Sequence, residues 1–479
     1  MINRTSIRIV AKPERVIPLF LDFNEKERID NIVSKVRSLD ESKVENLLTS
    51  VLNEFEGRHS KFKNVILRHY QNVEDEIAHT EALSTSKKLL IGTYFTKEYS
   101  VESAALFNPS IIEHPDQSGL KQGELRFIMS LRATGEGHIS SIEFSTGVIS
   151  DKGVIVIDDQ SSHLVCSNQV DGIKYHKQFV KERAKFFKNF NYSLFDYLPD
   201  HFSKFEAFQF IENLRNGQVA KFTDTKKALN EIFDINYDLT FEEDTPINSK
   251  VIFPSAEAES KGMEDVRFVK FTENGRSKYI GTYTAYNGSD IRVQLIETND
   301  FNSFRIRSLH GNAIDGKGMA LFPEKVNGKY AMIGRQGGKC ITMMYSNDLY
   351  LWDTYKIIQQ PEREWEMTQL GNSGSPIKTP EGWLLLTHAV GPLRKYVISA
   401  TLLDLDNPEK VLASLDKPLI SPNENERNGY VPNVVYTCGF LQHADNLVIP
   451  YAMSDSITGF ATVSLDVLIN ELLVNKQAI

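Results

Sequence analysis

The strongest constraint on the fold is a hairpin that recurs. Met319–Ile333, Gly374–Leu386 and Val434–Pro450 each read as an entering strand, a tight turn and a returning strand. The turns fall at Asn327-Gly328, Glu381-Gly382 and Asp445-Asn446, residue pairs suited to two-residue hairpin loops. The units start 55 and 60 residues apart, and another beginning at Val266 precedes the first by 53. Weak repeats of about 40–60 residues with several strands each are the pattern of a β-propeller. Adding the unit that includes Leu125 to Val148 gives five blades, so the chain is expected to be mainly β, a five-bladed β-propeller. A pair of β-sandwiches is the alternative that periodicity leaves open.

Two stretches break the strand texture. Residues 24–81 carry helical spacing: Leu39-Asp40-Glu41-Ser42 offers caps ahead of Val44, Leu47, Leu48, Val51, Leu52 and Phe55. Residues 176–248 do so again, through Phe179, Val180, Ala184, Phe205, Phe208, Ile211, Ala228, Leu229 and Ile232, and read as a helical insertion. The runs Leu89–Phe95, Leu125–Arg132 and Gly153–Asp158 read as strands. The predicted layout is an N-terminal helical extension over 1–85, a propeller over 86–470 holding the insertion, and a tail over 471–479.

Composition narrows the partners. The 479 residues carry a net charge of −9 and 41% hydrophobic residues, which suits a globular protein and argues against nucleic-acid binding. An anionic ligand therefore needs a local basic cluster. Cys166, Cys340 and Cys438 lie far apart without metal or redox spacing, as expected in a reducing compartment. No apolar run suits a signal peptide or a membrane span, so the expected location is cytoplasmic.

Several polar segments stand out against the strands. Arg132-Ala-Thr-Gly-Glu-Gly-His138 is a Gly-rich turn without the Lys-Ser/Thr of a P-loop, and reads on its own as a hairpin turn with solvated charges. In Met263-Glu-Asp-Val-Arg-Phe268, strand alternation sends Glu264 and Asp265 to opposite faces and leaves Asp265 and Arg267 on one face, as an ion pair. Lys317 precedes Leu321-Phe322-Pro323, and Arg335 opens a Gly-rich turn. Trp383-Leu-Leu-Leu-Thr-His388 ends an apolar strand on an imidazole. Tyr430–Tyr436 and Tyr451–Asp455 set aromatics, amides and a carboxylate at strand ends, a mix that suits sugar hydroxyls and also ordinary turns. No metal cluster, serine-nucleophile elbow or dinucleotide fingerprint is found, and no metal or cofactor is expected.

Glu264–Arg267, Lys317–Tyr330, Ser346–Trp352, Gly374–His388 and Leu402–Lys410, in that order and spacing, resemble glycoside hydrolase family 130. The resemblance covers roughly residues 90–155 and 255–470. It implies a five-bladed propeller acting on β-mannosides with inversion; most characterised members are phosphorylases and some are hydrolases. Asp265 falls on the family's catalytic acid, in a segment usually written Glu-Asp-Pro-Arg, with Val266 here in place of Pro. In the phosphorylases this acid is thought to protonate the leaving oxygen through a sugar hydroxyl, while phosphate attacks the anomeric carbon. Lys317, Arg335 and His388 match phosphate-binding positions, and Gln369 stands where a further basic residue is usual. Asn108, Arg132, Arg267, Tyr436 and Asp455 are assigned to the sugar.

With three of four anion-site positions kept, the resemblance implies phosphorolysis of a β-linked manno-oligosaccharide. Inorganic phosphate is then the co-substrate and Asp265 the proton donor. An inverting hydrolase would need a second carboxylate to activate water, for which Glu136, Glu366 and Asp455 are the candidates. A carbohydrate-binding propeller without catalysis would not need Asp265, Arg267, Lys317 and Arg335 together. The N-terminal helices suggest assembly with a second copy of the chain.

Overall fold

The computed structural model of the protein describes residues 1–74, 82–214 and 220–476. Its strands pair antiparallel, neighbour with neighbour, into sheets that follow the chain. The first set is Ala105–Glu113, Leu125–Thr134 and Ser140–Ile149, the second Gly262–Glu273, Arg276–Tyr286, Ile291–Thr298 and Ser303–Ser308. Rather than standing apart, these two sets join through a single parallel bridge, Gly262 to Ser140, into one sheet of 12 strands. Gly262 sits at φ +139, and a Cβ there would lie 2.7 Å from Ser140, so the junction requires glycine.

Two further sheets follow, over Ala320–Gln359 and Gln369–Ser414. The last sheet combines Val435–Tyr436, Asn446–Met453 and Ile457–Ser464 with a strand from the other end of the chain, Asn3–Ile9. Asn3 pairs with Thr462 and Ile9 with Thr458. The predicted helical extension therefore begins with strands, since Val16–Phe20 also pairs with Thr96–Ser100.

The recurring hairpins are present. Asn327 (φ +50) and Gly328 (φ +77) make the first turn as read, closed by reciprocal bonds between Val326 and Lys329. The other two turn one residue earlier than read, at Pro380-Glu381 and Ala444-Asp445, and Gly382 and Asn446 already pair in the returning strands.

Of the stretch 24–81, helices occupy Lys26–Ser38, Glu41–Phe55 and Phe62–Glu74, and 75–81 lies outside the described residues. Asp40 caps the second helix by accepting from the Lys43 amide at 2.9 Å. The run from Leu89 is a correction: Thr85–Tyr94 is a helix, capped by Ser84, and the strand starts only at Thr96. Its Leu90, Ile91 and Gly92 are buried against the preceding helices. Gly92 lies so close to the Ile66 backbone that any side chain would collide. The insertion holds helices Lys177–Ala184, Lys204–Glu212 and Thr223–Asp234 around their own apolar cluster. The expected tail is instead mostly the end of a helix, Leu465–Lys476, whose Leu468 and Leu472 are fully buried under the last two sheets.

One ionic cluster fastens the N-terminal arm to this body. Arg15, Glu102 and Glu143 are all buried, and the Arg15 guanidinium bonds both carboxylates, Glu143 at 2.5 Å. It also donates to the Ser161 and Asn248 carbonyls. Burial and the neighbouring Glu102 push the Glu143 carboxyl well above its ordinary range against the pull of Arg15.

Candidate active site

Asp265 lies in strand Gly262–Glu273, where the pairing register slips between Glu264 and Arg267. This bulge puts Asp265 in the left-handed region, φ +56, which Asp tolerates better than most residues. Simple alternation fails there, with a specific consequence. Glu264 and Asp265 both reach Arg132, at 2.7 and 3.4 Å. The expected Asp265–Arg267 ion pair does not form directly. Arg267 donates instead to the Asp265 backbone carbonyl (3.2 Å) and to the Tyr436 hydroxyl (2.6 Å).

Around Asp265 the sheets converge. Asn108, itself at φ +49, donates its amide to the carboxylate at 2.7 Å. Arg132 stacks over Phe107 and is steadied by Ser140, so it is not the solvated charge its turn suggested. Lys317 stands 3.7 Å from Glu264 and remains 43% exposed, free to meet a ligand. Burial alone would raise the Asp265 carboxyl, but Arg132, Lys317, Arg267 and the Asn108 amide outweigh it and hold it below the ordinary range.

A second group faces this one across Tyr436. Arg335 is buried, with Nη1 3.1 Å from His388 Nε2, and Gln369 reaches the same nitrogen at 3.3 Å. The other ring nitrogen of His388 lies 2.8 Å from the Asn372 carbonyl. That carbonyl can only accept, so Nδ1 carries the proton and Nε2 accepts from Arg335 and Gln369. Burial, then Arg335 and Arg267, push His388 well below its ordinary pKa. The imidazole is therefore a neutral group that orients Arg335 and adds no charge. Tyr436 packs against it at a tilt of 57°, with ring centres 4.8 Å apart. The Arg335 Nε is buried without a partner.

Asp455, at φ +51, is the remaining carboxyl coupled to the site. Burial and the nearby Asp265 push it up to about 6, against Arg132, Arg394 and Lys317. The other two carboxylates named from the sequence are engaged elsewhere: Glu136 accepts from the Ser100 amide, and Glu366 from the Glu362 and Arg363 amides. Because folding raises its pKa, the contribution of Asp455 to stability is complete below about pH 4 and is lost as pH rises through 6. Asp455→Asn is accordingly expected to raise the melting temperature at pH 7.5 relative to its effect at pH 4. Equal effects at both pH values would contradict the assignment.

Three neighbours escaped the sequence reading. Glu264 was set on the wrong face, while Tyr396 and Arg394 carried no signal. Tyr396 stacks with His388, and Arg394 lies over Tyr396. Arg394 follows Leu393 in a turn with both residues at φ +55, so no glycine marked it.

Comparison with known proteins gives this chain relatives. A family model described as beta-1,4-mannooligosaccharide phosphorylase matches residues 219–473. The chain is 34% identical over 223 residues to a 1,2-beta-oligomannan phosphorylase of Thermoanaerobacter sp. (strain X514), covering 46% of this chain and 74% of that protein. It is 35% identical over 211 residues to a beta-1,2-mannobiose phosphorylase of the same organism, covering 43% and 68%. Among solved structures, the beta-1,2-mannobiose phosphorylase of Listeria innocua aligns at 21% identity with a TM-score of 0.47, over 78% of this chain and 93% of the other. With the family match spanning more than half of its length, the chain belongs to glycoside hydrolase family 130.

Proposed function

We propose that the protein cleaves β-mannosides by inverting phosphorolysis, releasing mannose 1-phosphate. The observation that carries this reading is the Asp265 carboxylate, ringed by Arg132, Arg267 and Lys317, with Arg335 beside it across Tyr436. Phosphate brings its own negative charge and needs no general base, so one acid and preorganised cations suffice. The relatives named above are mannoside phosphorylases. In this reading phosphate oxygen bonds to the anomeric carbon as the glycosidic oxygen leaves, and the proton from Asp265 ends on that oxygen. Asn108, Arg132, Arg267, Tyr436 and Asp455 hold the sugar, and Lys317 and Arg335 hold phosphate.

We further read the chain-ordered sheets as five propeller blades, the 12-stranded sheet being two blades joined at Gly262, and the N-terminal strand closing the fifth. Location is part of the same reading. Among the described residues no helix is long and apolar enough to cross a membrane, and the three cysteines are unpaired, which suits the cytoplasm. Pairing of two copies through the N-terminal helices is testable by mass in solution, where a monomer at micromolar concentration would exclude it.

A hydrolase is the second reading, favoured by Gln369 at a usually basic position and by Asp455, whose carboxyl near 6 is poised for proton transfer close to neutral pH. Incubation with mannobioses of each linkage, with and without phosphate, separates the readings. Mannose 1-phosphate formed only with phosphate supports phosphorolysis; free mannose at equal rates in both makes the enzyme a hydrolase; sugar binding without turnover makes it a binding protein. Arg335→Ala is expected to raise the KM for phosphate about tenfold or more while changing the KM for sugar little, as loss of one charge-assisted hydrogen bond predicts.

A further inference from the structure

A cavity of about 340 Å³ lies between the helical insertion and the second strand set, away from Asp265. Its walls include Phe186 and Ile232 from the insertion, and Ile314 from the loop that leads to Lys317. Three polar side chains in this lining are incompletely satisfied. Arg183 is 4% exposed and, among the described residues, makes no ion pair. It donates only to Ser308 Oγ (3.0 Å), the Ser308 carbonyl (2.8 Å) and the Phe179 carbonyl (3.2 Å), and its guanidinium lies flat on Phe179 at 3.3 Å. Three of its five N–H groups are thus used, and the one carboxylate named in the cavity lining, Glu231, pairs with Arg292 at 2.5 Å and not with it. His310, 8% exposed, has neither ring nitrogen in a well-directed hydrogen bond, and the buried Gln294 leaves Oε1 without a partner.

A buried cation without an ion pair and the orphaned Gln294 Oε1 are costly to leave unmatched. Their gathering at one cavity indicates what the cavity takes. We propose that it binds a small hydroxycarboxylate with an apolar body, an activity separate from mannoside cleavage. The carboxylate pairs with Arg183, whose two remaining N–H groups and single charge match a monoanion better than a phosphate dianion. The neighbouring hydroxyl donates to Gln294 Oε1 and bonds to His310. The hydrocarbon part lies against Phe186, Ile232 and Ile314. The volume is at the lower end of small-molecule sites, about 300–1,000 Å³, which suits a ligand of phenyllactate size.

The probe is 3-phenyllactate, with 3-phenyl-1,2-propanediol as its uncharged counterpart, titrated calorimetrically into the full-length protein. Phenyllactate is expected to bind at one per chain with a Kd below about 1 mM, and the diol about tenfold weaker or not at all, since it lacks the charge-assisted bonds. Gln294→Leu, which keeps the volume and removes the orphaned oxygen, is expected to weaken phenyllactate several-fold with little change in melting temperature. Arg183→Met is expected to abolish binding. Because Arg183 is buried, its variant is read only if folded, and the carboxylate–diol comparison stands without it. Absence of phenyllactate binding, equal binding of the diol, or unchanged binding in Gln294→Leu would each overturn the proposal.

Discussion

Asp265→Asn is expected to lower turnover by about 10²–10⁴-fold, the usual contribution of a general acid, with the fold retained. Asparagine is the informative replacement. It tolerates the left-handed backbone at φ +56, keeps the size and shape of the side chain that Asn108 and Arg132 meet, and removes its charge and its acidity. Alanine would confound chemistry with backbone strain. The free enzyme raises a question of proton supply, because Arg132, Lys317 and Arg267 hold Asp265 ionised. Phosphate drawn onto Lys317 would offset one of those cations and raise the proton affinity of Asp265, so that the donor holds its proton when the nucleophile is in place. Calorimetry of phosphate binding in buffers of different ionisation enthalpy tests this hypothesis. The wild type should take up more protons than Asp265→Asn, by up to one; no difference would mean the proton comes from elsewhere. An Asp265→Asn variant that turns over normally would refute the role of the acid itself.

Arg15→Met is expected to destabilise the protein by about 3–5 kcal/mol, measured by denaturant unfolding at pH 7, as when one partner of a buried ionic cluster is removed. Glu102 and Glu143 would then face each other without a cation, and the Ser161 and Asn248 carbonyls would lose their donors. Adding Glu143→Gln should restore part of the loss, since it removes one of the two acids. A loss below 1 kcal/mol for Arg15→Met would mean that the cluster is not a fastening point.

The contrast between what was readable and what was not follows local rules. Hairpins announce themselves, because Asn327-Gly328 supplies the backbone angles a two-residue turn needs and its flanks alternate. The strand Asn3–Ile9 hides, since its partner Ile457–Ser464 lies at the far end of the sequence and its own residues mix Arg4 and Arg8 with Ile7 and Ile9. The helix Thr85–Tyr94 was misread because β-branched and apolar residues fit either structure, and packing against the other helices decided it. In the site, residue types were legible but directions were not. Period-two alternation cannot anticipate a bulge, and the bulge is what brings Glu264 and Asp265 to one arginine. The charge state of His388 was equally invisible, being set by the Asn372 carbonyl and by burial.

The pairing of Asn3–Ile9 with Ile457–Ser464 also bears on the order of events during synthesis. A strand made before all the sheets described here is among the last that can be placed. At about 5–20 residues per second, its partner follows roughly 25–90 seconds later. Throughout that interval the segment must stay unpaired beside growing sheets that offer open edges of their own. Its two arginines and its single buried side chain, Ile9, make it a poor match for those edges. Translation speed, and any change that sterically burdens this strand, should therefore act on yield before they act on catalysis.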